Sequence, residues 1–201
     1  MKKSRKPWKW MTLGDIGKIC SCREIPTEQI LDCGDIPLYK IGTLGKKADA
    51  FISEKIYNEY KNKYPYPKGG DVLITVAGTI GRTLCYYGEK AYFQGSRIVW
   101  IDNNEKKVLN RFLYHWLSDR KWAVSKTSTI PRLNINTIQQ TAIHVPPFIE
   151  QIDIISKLDT FEKLVNDTNN GIQAEIQKRR EQYNFYLNKI MDFKLKEYKT
   201  L

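Results

Sequence analysis

The feature that most constrains this chain is its last quarter. Pro146 and Pro147, followed by Phe148-Ile149-Glu150-Gln151, lead into roughly 43 residues without a proline, which reads as one uninterrupted helix. Counted in sevens, one seam position holds Ile155, Glu162, Asn169, Ile176, Tyr183 and Ile190. Its companion holds Leu158, Val165, Ile172, Arg179, Tyr186 and Phe193. Apart from Glu162, Asn169 and Arg179 these are apolar or aromatic, the pattern of a helix that packs along another helix. At 1.5 Å per residue the segment spans about 65 Å, more than a compact domain of this size needs. It is therefore predicted to be a spacer between two bodies. Its polar seam residues suit the setting of register against a matching helix better than a strong isolated coiled coil.

The rest of the chain is organised around that spacer. A length of 201 residues fits one domain and an appendage, or at most two small domains. The expected division is a globular domain over 1–147, a spacer and dimerisation helix over 148–193 and a basic tail over 194–201. The 33 Lys and Arg against 22 Asp and Glu leave a net charge of +11, which favours a polyanionic partner, DNA or RNA first. The basic start, Met1-Lys2-Lys3-Ser4-Arg5-Lys6, runs into Pro7 and Trp8 rather than the apolar core of a signal peptide. No apolar run of about 18 residues follows anywhere, so the expected location is the cytoplasm. Cys20, Cys22, Cys33 and Cys85 lack the paired spacing of a zinc site, and His115 and His144 have no matching partners; reduced, packed thiols are expected.

Residues from about Trp10 to Val145 read as a mixed, strand-rich domain, so the fold class is α+β. Ile36 to Ile41 reads as a strand, and Ser53 as the cap of a short helix reaching Tyr60. Lys61 to Lys68 is a basic loop rich in tyrosine and proline. Lys68-Gly69-Gly70-Asp71-Val72-Leu73-Ile74-Thr75 reads as a turn and a buried strand, and Gly78-Thr79-Ile80-Gly81-Arg82 as a tight turn carrying an arginine. Thr83–Tyr87 and Ala91–Phe93 look like a hairpin around Gly88-Glu89-Lys90. Gln94-Gly95-Ser96-Arg97 leads into a strand over Ile98–Ile101. Asn103 or Asn104 would cap a helix from Glu105 to about Val124, with Val108, Leu109, Phe112, Leu113, Trp116 and Leu117 on one face. A loop from Ser125 to Asn134 and a last strand complete the domain.

These pieces resemble the specificity subunit of Type I restriction–modification systems, over nearly the whole chain. The resemblance rests on Leu13-Gly14-Asp15-Ile16-Gly17, Gly70-Asp71-Val72-Leu73-Ile74, Ala77-Gly78-Thr79-Ile80-Gly81, Ile130-Pro131-Arg132-Leu133-Asn134 and Val145-Pro146-Pro147-Phe148-Ile149-Glu150-Gln151. Glu175-Ile176-Gln177-Lys178-Arg179-Arg180-Glu181-Gln182-Tyr183 continues it on the helix. Members of that family typically carry two target-recognition domains, each followed by a long spacer helix, whereas this chain has one of each. The resemblance implies a non-enzymatic subunit that reads a bipartite double-stranded DNA site and brings an adenine methyltransferase and a restriction and translocation subunit to it, with no cofactor or metal of its own.

Reading duplex DNA needs cations for phosphates and polar side chains for base edges. Lys40, Lys61, Lys63 and Lys68 suit phosphate contacts, and equally suit a solvated surface. Thr79 and Arg82 lie on a turn that either faces DNA with its backbone N–H groups or is an ordinary hairpin turn. Gln94, Ser96 and Arg97 are candidates for base readout, since glutamine can bond adenine and arginine guanine. Arg132, Asn134 and Asn136 form a second such cluster; buried structural roles remain open for both. On the helix, Ile155, Leu158, Val165, Ile172, Ile176, Arg179, Tyr183, Tyr186 and Ile190 are the expected partner contacts. Antiparallel pairing with a second copy would set two recognition domains at opposite ends and make the site an interrupted palindrome, whereas a different half-subunit as partner would give a non-palindromic site.

An enzyme reading finds little support. Glu105-Lys106-Lys107 has a nuclease-like spacing, but Asp71 and Asp102 are poorly placed as its upstream acid. No Asn-Pro-Pro-Tyr motif, P-loop or glycine-rich cofactor loop occurs. The competing class is a coiled-coil scaffold with incidental basic charge, which has no use for Gln94, Arg97, Arg132 and the lysine loop together.

Overall fold

The computed structural model describes residues 7–122 and 131–198; within the long helix, the side chains of 169, 170, 174, 183, 184 and 186–198 are not described. The chain divides into two units, Met1–Ile155 and Ser156–Leu201.

The first unit is α+β. Its centre is an antiparallel sheet in the order β2 (Gly17–Cys20), β8 (Ile98–Asn103), β5 (Val72–Thr75), β6 (Thr83–Cys85). Alternation along the two middle strands separates two cores. Val72, Ile74, Val99 and Ile101 point into one, where α1 (Leu13–Ile16), α3 (Asn110–Ser118) and α4 (Ile135–Gln140) contribute Leu13, Phe112, Leu113, Leu117 and Ile138. Leu73, Ile98 and Trp100 point into the other, which holds Tyr57, Tyr86, Tyr92 and Phe93. Both faces are covered, so β5 is buried along its whole length.

The second core is closed by a small sheet in which β3 (Ile36–Tyr39) pairs antiparallel with β4 (Phe51–Ile52) and parallel with β7 (Tyr92–Phe93). This corrects the expected hairpin: β6 pairs with β5, and β7 crosses to β3. The crossing is driven by burial, because Tyr92 and Phe93 are both enclosed in the tyrosine-rich core. The expected strand from Ile36 also ends at Tyr39 rather than Ile41.

The helix predicted from Glu105 begins only at Asn110 and ends at Ser118. Residues before it are held as a loop by Asn103, whose Nδ2 donates to the Val108 carbonyl and to Asn110 Oδ1 and whose Oδ1 accepts from the Glu105 N–H. Glu105 sits at φ 55°, and its carboxylate accepts from the Asn110 N–H at 2.8 Å, capping the helix from outside. Ser53 caps α2 as expected, though α2 (Glu54–Lys63) runs a turn further than Tyr60.

The first strand, β1 (Lys9–Thr12), pairs with β9 (Ala142–Val145), which leads into the long helix α5 (Phe148–Tyr198). Gln151 fixes the root of α5. It is fully buried; its Oε1 accepts from the Leu109 N–H and its Nε2 donates to the Lys107 and Pro146 carbonyls. Ile154 and Ile155 pack on the first core, so the globular unit extends past the expected boundary at 147.

The second unit, taken by itself, is helix. Leu158, Phe161, Leu164, Val165, Ile172, Ile176 and Phe185 are exposed on it, and Arg179 pairs with Glu175 four residues earlier at 2.9 Å. Tyr183, Tyr186 and Ile190 lie outside the described side chains. No helix among the described residues is long and apolar enough to cross a membrane.

Candidate nucleic-acid interface

The parallel pairing of β3 with β7 makes the candidate site. Parallel strands leave a sheet at the same end, so Lys40 after β3 and Gln94-Gly95-Ser96-Arg97 after β7 emerge together, joined by the Gln94 N–H donating to the Tyr39 carbonyl at 2.9 Å. Val76, just beyond β5, draws in the rest. Its N–H donates to the Arg97 carbonyl and its carbonyl accepts from the Leu133 N–H. Arg132 thereby lies beside Ser96 and donates to its Oγ at 3.1 Å. One residue of each cluster expected from sequence is thus in contact with the other.

That surface borders a groove of about 420 Å³ whose lining includes Glu24, Asp32, Lys40, Ile41, Ser96 and Arg97. A second hollow of about 520 Å³, with Arg23, Tyr64 and Pro65 in its lining, shares Glu24 and Ser96 with the first. Arg23 and Glu24 are contributions that sequence reasoning missed. Both sit in an irregular stretch before Pro26, where no periodicity marks a site; only a charged pair before a proline loop could have signalled them.

Not every expected residue faces outward. The Gln94 amide is clamped onto the backbone of Ile25: its Oε1 accepts from the Ile25 N–H at 3.2 Å and its Nε2 donates to the Ile25 carbonyl at 2.8 Å. Asn134 caps α4, its Oδ1 accepting from the Asn136 N–H at 2.9 Å, while Asn136 itself is exposed. Arg82 turns inward and donates to the Leu44 carbonyl at 3.1 Å. The N–H groups of Ile80, Gly81 and Arg82 donate within their own turn, and the Thr79 carbonyl accepts from the Thr75 hydroxyl. Gly81, at φ 83°, is packed under Trp122, where a Cβ would stand 2.5 Å from Cδ1. The amides of Ile80, Gly81 and Arg82 are therefore taken up by the turn itself. Ile130 and the loop before it lie outside the described residues.

The lysines form an outlying group. Lys40 stands 3.8 Å from Asp49. Lys61 donates to the Tyr57 hydroxyl at 3.1 Å and lies over the rings of Tyr57 and Tyr66, and Lys63 lies over Tyr64. Lys68 pairs with Asp102 at 3.2 Å, and that hydrogen bond raises the pKa of its ammonium. Behind them the tyrosine core is locked by hydroxyl contacts: Tyr66 bonds to Tyr86 and donates to the Ala91 carbonyl, and burial raises its pKa. Cys22, enclosed in the same core, has its thiol pushed up to about 12 by burial, consistent with a packed thiol.

The described residues thus form a strand-rich α+β domain with a grooved, arginine-bearing face, and one long helix follows it in the chain. The chain belongs to the family described as the Type I restriction modification DNA specificity domain, which it matches over residues 5–178. It is 46% identical over 185 residues to a Haemophilus influenzae protein named as a type I restriction enzyme specificity subunit, covering 92% of this chain and 48% of that protein. The chain thus spans about half the length of such relatives. In fold it is similar to the HsdS subunit from Thermoanaerobacter tengcongensis (TM-score 0.58, 19% identity, 80% of this chain and 38% of that one). The S subunit from M. genitalium is also similar (TM-score 0.60, 16% identity, 83% and 42%).

Proposed function

We propose that the chain reads double-stranded DNA as the specificity component of a type I restriction–modification system. It does no chemistry itself and brings the adenine methyltransferase and restriction subunits to a bipartite site. The observation that carries this reading is that Lys40, Ser96 and Arg97 line one groove in a domain of this family, with Arg132, from a third stretch of sequence, bonded to Ser96 at its edge. Arg97 and Arg132 suit guanine edges, and Ser96 suits any base. Lys40, Lys61, Lys63 and Lys68 each have an acceptor or a ring nearby, but an ammonium has three donors, which leaves capacity for phosphates. Thr79 and Asn136, both exposed, complete the candidate contacts. Gln94, Arg82 and Asn134 are left out of the reading set because their polar groups are engaged within the fold.

The helix beyond Ser156 pairs antiparallel with the same helix of a second copy, which supplies the other half of a full-length subunit. Its row of exposed apolar residues, Leu158, Val165, Ile172 and Ile176, supports this. The test is DNA binding with the methyltransferase subunit present, between 50 and 200 mM salt. Log affinity is expected to fall linearly with log salt, at about −0.9 per phosphate contacted. Salt-independent or undetectable binding refutes the DNA reading.

A further inference from the structure

Glu24 is an acid on a face expected to meet a polyanion, and it is held there. On one side of it the Tyr92 hydroxyl donates to the Arg23 carbonyl at 2.8 Å; on the other the Gln94 amide grips both backbone groups of Ile25. The side chain between these clamps lies over Gly95, a residue at φ 67°, with its carboxyl carbon 3.5 Å from where a Cβ there would stand. Its carboxylate has no hydrogen-bond or ion-pair partner among the described residues, although Arg97 lines the same groove and Arg23 the adjoining one. A carboxylate on this face opposes phosphates, and the backbone on either side of it is held by Tyr92 and Gln94, so its place on the groove is set by the fold.

We propose that Glu24 specifies a cytosine, its carboxylate accepting from the exocyclic N4 amino group in the major groove. The base edges select this partner. Guanine and thymine offer acceptors, which repel a carboxylate. Adenine sets its N6 donor beside the N7 acceptor, whereas cytosine presents a donor with no acceptor next to it on that edge. Gln94 then has a positioning role, holding the backbone from which Glu24 projects. The inference rests on the DNA-reading function proposed above.

The test is selection of bound duplexes from a random pool by the chain with its methyltransferase subunit, comparing wild type with Glu24→Gln and Glu24→Ala. Glu24 is exposed, so both variants are expected to keep the wild-type circular dichroism spectrum and melting temperature. The wild type is expected to enrich a site with a fixed C·G pair. Glu24→Ala loses the preference at that one pair by about tenfold or more and keeps the rest of the site. Glu24→Gln shifts the same pair towards adenine, which a glutamine amide can bond. Unchanged preference in both variants, or tighter binding to every sequence alike, would mark Glu24 as an incidental acid and overturn the inference while leaving the DNA reading intact. A wild type that enriches no sequence would overturn both.

Discussion

At the scale of single residues, the same chemistry that suits a side chain to a base suits it to the protein's own backbone. A glutamine amide that can bond adenine N6 and N7 has the geometry to bond one residue's C=O and N–H, and Gln94 does this to Ile25. Gln94→Ala is therefore expected to leave two part-buried backbone groups unpaired and to cost about 1–3 kcal/mol of folding stability. Arg97→Ala, at an exposed position without a described side-chain partner, should stay within about 0.5 kcal/mol of wild type. Urea denaturation of the two variants checks the pair; equal stabilities would show that the clamp adds nothing. Arg97 and Arg132 were singled out by residue type and loop position, and the structure leaves both exposed. Asn134 and Gln94 were not separable from them, since residue type fixes what a group can bond but not which way the chain turns it. Glu24 escaped notice because its position depends on Tyr92, Gln94 and Gly95, about seventy residues away in sequence.

At the scale of elements, local signals held where they were complete. The Ser53 cap, the buried run of β5 and the proline-free length of α5 all lie in contiguous sequence, and each produced its element. They failed where a distant partner decided. The apolar face of α3 is real, but Asn103 and Glu105 build a capped loop out of residues with adequate helix propensity. The hairpin expected at Gly88 yields to the pull of Tyr92 and Phe93 into a core shared with β3. For α5, exposed Ile172 and Ile176 are where a charge separates packing from solubility. The double variant Ile172→Asp, Ile176→Asp places two carboxylates in the proposed pairing surface, at a cost of several kcal/mol to association. It is expected to scatter light as a monomer at micromolar concentration where the wild type scatters as a dimer, with thermal unfolding of the globular unit unchanged. A wild-type monomer, with and without the methyltransferase, refutes the pairing.

For the whole molecule, two identical reading domains related by a two-fold axis would read two identical half-sites on opposite strands. The methylated sites of the source strain should then be interrupted palindromes, checked by mapping modified adenines with their flanking bases. Two unlike half-sites would make the partner a different half-subunit.

The pairing of β3 with β7 also has a meaning in time. The central sheet can be assembled around the β5–β6 hairpin and the strands that dock on it. The reading face exists only after β7 has found β3, about fifty residues earlier in the chain, with neither strand long enough to hold the other without the tyrosine core. Closing a loop of about fifty residues costs chain entropy that so short a ladder cannot repay alone, so the proposed reading face is expected to form together with the tyrosine core and not ahead of it. A nascent copy holding only its central sheet would have no such face, and would be silent towards DNA until that core had closed.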